Sequence, residues 1–132
     1  MPWQNLGSTT RPIAMGARGM VASAHPLATL AGVRTLQAGG NAVDAAVAVA
    51  AALNVCEPFM SGVGGDGYML IHTASDGKLR ALDYVGRSPY AAKPDPFVNE
   101  EGRPDPEGLG IGPKASLVPG AIGGWLTAHA EF

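Results

Sequence analysis

The residues whose spacing most resembles a chemical signature lie in Ser61-Gly62-Val63-Gly64-Gly65-Asp66-Gly67. Gly62, Gly64 and Gly67 spell G-x-G-x-x-G, and Asp83 follows roughly where a dinucleotide-binding unit keeps its ribose-binding acid, about twenty residues on. That signature works when a strand enters the turn and a helix leaves it, aiming amide groups at a pyrophosphate. Here the order is reversed: the sequence predicts a helix before the glycines and a strand after them. The reading preferred is a sharp turn that packs closely against something else. His25, His72 and His129 have no partners at metal-ligand spacing, so structural roles are expected for all three, with His25 capping a helix beside Pro26. Cys56 could be a nucleophile, but a lone cysteine after an apolar helix reads as a small hydrophobe.

The elements that position these residues are well marked. Asn41 suits a helix N-cap, and Asp44 stands where its carboxylate can reach back to the cap and meet the positive end of the helix dipole. From Ala45 to Leu53 no residue is polar, which predicts a helix buried on all sides, too short for a bilayer and alanine-rich enough for close packing. Upstream, Met20 to Ala24 reads as a short buried strand. Pro26 then opens a helix carrying Leu27, Leu30, Val33 and Leu36 on one face, stopped by Gly39-Gly40. Downstream, Tyr68 to Thr73 and Leu79 to Val85 read as strands joined through Asp76-Gly77.

Residues 1–18 are turn-rich and read as an arm over the surface, and 19–132 as one partial domain. From Gly86 to Pro113 the chain is rich in proline and carries Asp95, Glu100, Glu101, Asp105 and Glu107, which predicts a long loop whose acidity is solvation rather than metal binding. Pro119-Gly120 opens a last helix with Ile122, Trp125, Leu126 and His129 on one face. Three strands are too few to cover the apolar helix, so the chain reads as a piece of a larger fold.

At 132 residues, 46% hydrophobic and 15% charged, the composition is that of a folded chain rather than a disordered one. A net charge of -2 without a Lys/Arg cluster leaves no footprint for nucleic acid or an anionic membrane. One cysteine excludes an internal disulfide, and the N-terminus lacks the basic and apolar regions of a secretion signal, which favours the cytoplasm.

Several ordered runs carry a family likeness. Gly19-Met20-Val21-Ala22-Ser23-Ala24-His25-Pro26-Leu27-Ala28, Gly39 to Ala48, Glu57-Pro58 and Ser61 to Leu70 together resemble the opening of the gamma-glutamyltransferase large subunit, and Val118-Pro119-Gly120 is similar to that family too. The resemblance implies an α+β fold, the N-terminal portion of an N-terminal-nucleophile hydrolase αββα sandwich, with about three strands and three helices here. It also implies a precursor that cuts itself. The new N-terminal threonine of the small subunit attacks a gamma-glutamyl amide such as that of glutathione, its own amino group serving as base, and water or an amine accepts the acyl group. No cofactor or metal is implied. The threonine is absent here, so this chain alone is expected to be inactive and to need the small subunit of the same precursor.

What the resemblance assigns to the large subunit is an arginine that grips the donor α-carboxylate with its guanidinium fork. In the family it stands in a pattern like D-x-R-E-x-A-P, whereas this chain has Asp83-Tyr84-Val85-Gly86-Arg87-Ser88-Pro89. With Asp83 and Pro89 aligned, the arginine falls on Val85, and Arg87 is two positions late. Either a local shift lets Arg87 do the same work, or the protein belongs to a divergent branch, acylase-like or amidohydrolase-like, that acts on another amide; a plain surface arginine is the bland alternative. Asp66 stands where many relatives have another glycine and could touch substrate. A reading from another class is a non-catalytic module that binds a gamma-glutamyl-type ligand or a protein.

Overall fold

The computed structural model describes residues 13–93, 97–105, 112 and 115–132, in which three helices and one hairpin follow in the order α1 (Pro26–Gln37), α2 (Ala42–Cys56), β1 (Tyr68–Thr73), β2 (Lys78–Asp83) and α3 (Ala121–Glu131). Of the N-terminal arm, residues 1–12 lie outside the described residues, and 13–18 are exposed. Pro94, Asp95, Pro96, Pro106, Glu107 and Pro113 of the proline-rich loop also lie outside them.

Local chemistry sets the helix ends. His25 caps α1, its Nδ1 accepting from the Leu27 amide at 3.2 Å, and Pro26 takes the first turn, where no amide donor is required. At the other end the amides of Gly39 and Gly40 donate to the carbonyls of Leu36 and Thr35 at 3.1 and 3.0 Å, a Schellman closure. Gly39 makes it possible, because its φ of 96° is open to glycine and costly for other residues. Two residues later α2 begins with a complete capping box. Asn41 Oδ1 accepts from Val43 and Asp44 at 2.7 and 3.0 Å, and Asp44 Oδ2 accepts from the Asn41 amide at 2.8 Å.

The helices pack through small residues. Ala28 and Gly32 are the buried positions of α1, while Leu27 and Leu30 stay 61% and 42% exposed. A methyl group on Gly32 would lie 2.7 Å from Val49 and 3.3 Å from the Ala45 carbonyl, so the backbones approach as closely as glycine allows. The expected leucine face is therefore not the contact face. Likewise α3 buries Ala121, Gly124, Trp125 and Ala128, leaving Ile122 and Leu126 44% and 63% exposed.

The expected strand at Met20 to Ala24 does not form. These residues have no ladder partner, Met20 is 60% exposed, and the described residues hold a single two-stranded sheet. An isolated apolar run cannot satisfy its backbone as a strand without a neighbour. β1 and β2 pair antiparallel from Tyr68 opposite Asp83 to Thr73 opposite Lys78, with Gly77 in the left-handed region of the turn. One face of the hairpin turns inward: Ile71 joins Val43 and Ala128 in the core, and Met69, Leu82 and Phe132 pack against them. Within the proline-rich loop, residues 97–105 form a small hairpin of their own, in which Asn99 accepts from the amides of Glu101 and Arg103.

α2 is not enclosed as its composition predicts. Val43 and Ala45 are buried, but Val55 is 81% exposed, since α1 covers one flank, the core cluster forms at the helix start, and no described element lies over the far end. The far end of α2 is thus left with exposed apolar side chains among the described residues.

Candidate functional site

Three stretches remote in sequence meet beside the N-terminus of α3. The first is the glycine turn, which leaves α2 through a hydrogen bond from Ser61 Oγ to Asn54 Oδ1 (2.7 Å) and then enters β1, so the helix-to-strand order read from the sequence holds. Its Gly65 carbonyl accepts from the amides of both Gly120 and Ala121, at 3.1 and 3.0 Å. Those are orphan donors of a helix start, so the turn caps α3 with its own backbone. The second is the run after β2. Tyr84 continues the ladder by donating its amide to the Gly67 carbonyl at 3.0 Å, and Asp83 Oδ1 accepts from the Val85 amide at 2.9 Å. The third is Leu117–Pro119, where the Val118 amide donates to the Arg87 carbonyl at 3.0 Å.

Between the second and third stretches runs a groove of about 470 Å³, lined by Tyr84, Val85, Arg87, Tyr90, Val118 and Thr127 among others. Arg87 is exposed at this groove, and its guanidinium makes no hydrogen bond or ion pair with any described residue. A free guanidinium on a concave, largely apolar wall is able to take a carboxylate in two parallel hydrogen bonds. Val85 is half-buried on the same wall.

The other singled-out residues serve the framework. His25 is a cap, and His129 Nδ1 sits 2.9 Å from Asp44 Oδ1, tying α3 to the start of α2. That hydrogen bond adds to the larger effect of the Asn41 amide in holding the Asp44 carboxyl below its usual range. His72 faces outward on β1, Cys56 is the half-buried last residue of α2, and Asp66 is exposed in the turn. A larger groove of about 740 Å³ lies between the hairpin and the start of α2, but its Arg80 is spent on Asp76 and on the Phe132 ring, 5.9 Å away. Among the described residues no three His, Cys, Asp or Glu side chains gather as metal ligands do.

Sequence reasoning missed Tyr84 and Gly124. The Tyr84 ring lies directly on Gly124 of α3 and beside Gly67 of the turn, so one aromatic side chain joins the run after β2 to the glycine turn and to α3. The available signal was Gly123-Gly124 inside a helix, an expense that marks close approach of another group.

The gamma-glutamyltranspeptidase family pattern matches residues 28–132. The chain is 42% identical over 120 residues to the glutathione hydrolase proenzyme of Bacillus subtilis (strain 168), covering 86% of this chain and 20% of that protein. It is 43% identical over 126 residues to the Acylase ACY 1 proenzyme of Pseudomonas sp. (strain V22), covering 90% of this chain and 22% of that one. Its fold superimposes on the crystal structure of Helicobacter pylori gamma-glutamyltranspeptidase with a TM-score of 0.83 at 36% identity, over 92% of this chain and 34% of that chain. The chain belongs to the gamma-glutamyltranspeptidase family, to the N-terminal part of its sequence. It spans about a fifth of the length of the curated relatives it matches.

Proposed function

We propose that this chain is the N-terminal part of the large subunit of a gamma-glutamyltransferase-like proenzyme, which transfers or hydrolyses the gamma-glutamyl group of glutathione or a related amide. In this reading the chain's helices and hairpin belong to the αββα sandwich of an N-terminal-nucleophile hydrolase. The nucleophile is the N-terminal threonine of a small subunit cut from the same precursor, and residues 19–132 supply part of the donor site. The observation that carries the reading is the family match, continuous from residue 28 to 132 and joined to relatives named as glutathione hydrolase proenzymes. Arg87 is the donor-carboxylate ligand on this account, supported by its guanidinium standing at the groove without a hydrogen bond or ion pair to any described residue. The chain alone is inactive.

A second reading, an acylase of the same fold acting on a different amide, is supported by the Pseudomonas acylase relative and by the two-position offset of Arg87. One experiment separates the two. The full-length proenzyme is expressed, its two fragments are resolved by electrophoresis, and the smaller is sequenced from its N-terminus. It is then assayed with glutathione and with a glutaryl anilide, which keeps the carboxylate but lacks the amino group. Cleavage before a threonine with turnover of glutathione supports the first reading, and turnover of the glutaryl amide alone supports the second. A protein that is never cleaved and turns over neither amide contradicts both.

A further inference from the structure

We infer that Tyr84 and Gly124 are positioning residues that set where the Arg87 guanidinium stands, an inference that rests on Arg87 being the donor-carboxylate ligand. Arg87 lies three residues beyond Tyr84, and the run between them is fixed at both ends, to α3 and to the Leu117–Pro119 stretch that precedes it. At one end Tyr84 presses on the helix: a Cβ added to Gly124 would lie 2.2 Å from Tyr84 Cγ and 2.5 Å from Tyr84 Cβ. Because Tyr84 Cβ itself is in the way, rotating the ring cannot relieve that contact, and the backbone must shift. At the other end the Arg87 carbonyl is held by the Val118 amide at 3.0 Å, and Gly86 passes so close that an added Cβ would lie 2.0 Å from the Val118 carbonyl oxygen. With only two residues between these anchors, a displaced Tyr84 strains the base of Arg87 against its hold on Val118 and shifts the guanidinium.

The consequence is specific to binding. Two-point recognition of a carboxylate by arginine depends on geometry, and a displacement of about 1 Å at a positioning group can cost roughly a hundredfold. The Tyr84 hydroxyl makes no hydrogen bond with any described residue, so the ring alone does the positioning.

The test is steady-state kinetics of the full-length proenzyme with whichever of glutathione and glutaryl anilide it turns over. Gly124→Ala and Tyr84→Ala are expected to raise the donor KM about tenfold or more with kcat changed by less than about threefold, and Tyr84→Phe to match the wild type. In an Arg87→Lys background, Gly124→Ala is expected to add little, since the contact it disturbs is already lost. Should Gly124→Ala not mature, Tyr84→Leu carries the same test. If Arg87→Lys raises KM while Gly124→Ala, Tyr84→Ala and Tyr84→Leu leave it within about twofold, or if their effects on KM simply add to that of Arg87→Lys, the positioning inference is overturned and Arg87 stands. If Arg87→Lys itself is silent, the reading beneath the inference falls and the inference falls with it.

Discussion

The side-chain amide of Asn41 donates to the carbonyl of Phe132 at 2.8 Å while the oxygen of the same side chain accepts from Val43 and Asp44. One residue thus starts α2 and holds the end of α3. Asn41→Ala is expected to lose both roles and to destabilise the chain by about 1 to 2 kcal/mol in urea titrations followed by circular dichroism. Asn41→Ser keeps the cap and loses the reach to Phe132, so it should fall between wild type and alanine. Equal stability of wild type and Asn41→Ala would show that the cap does not matter here.

Two carboxylates give the fold an acid dependence. The Asn41 amide and then His129 hold the Asp44 carboxyl below its ordinary 3.8, and Arg80 and then the Lys78 amide do the same for Asp76. A carboxyl depressed by folding binds its proton less readily in the folded chain, so protons favour the unfolded state. The stability each contributes is present above the unfolded value of 3.8 and is lost as pH falls through the lower folded value. Denaturation midpoints measured down through this range should decline, and Asp44→Asn should flatten the decline. An unchanged slope in Asp44→Asn would contradict the assignment.

How far the chain could be read before its structure depended on the range of the interaction. Caps at His25, Asn41 with Asp44, and Gly39-Gly40 involve neighbours within five residues, so their chemistry is visible in the sequence. The turn at Asp76-Gly77 is of the same kind. Apart from Trp125, the packing faces are not legible, because periodicity weights large apolar side chains, whereas α1 buries Ala28 and Gly32 and α3 buries Ala121 and Gly124. The expected strand at Met20 to Ala24 failed because a strand needs a neighbour as much as a composition. Of the groove, Arg87 stands out in the sequence as an arginine near the family pattern, whereas the contact of Val118 with Arg87 and the seating of Tyr84 on Gly124 join residues more than thirty positions apart, beyond any local pattern.

Two glycines should respond to alanine with opposite signs. Gly39 has open space around it but a φ of 96°, so Gly39→Ala is expected to cost about 1 kcal/mol. Gly123, inside α3 with nothing within 4 Å of an added Cβ, gains helix propensity, and Gly123→Ala should stabilise by up to about 1 kcal/mol. Thermal unfolding of the two variants decides, and the same sign for both would contradict the account.

Exposed apolar side chains beyond α2 make a further prediction. Phe59 and Met60 are 79% and 77% exposed, so replacing both by serine should raise solubility and change stability by less than about 0.5 kcal/mol per site. A large loss of stability would mean that the two side chains are packed in solution.

The central claim is that Arg87 holds the carboxylate of the donor amide, and the kinetics of Arg87→Lys in the full-length proenzyme test it most directly. Replacing the guanidinium fork by a point charge should weaken kcat/KM for the donor by about 1 kcal/mol or more, chiefly through KM. Unchanged kcat and KM in Arg87→Lys would contradict it and leave Arg87 a surface residue.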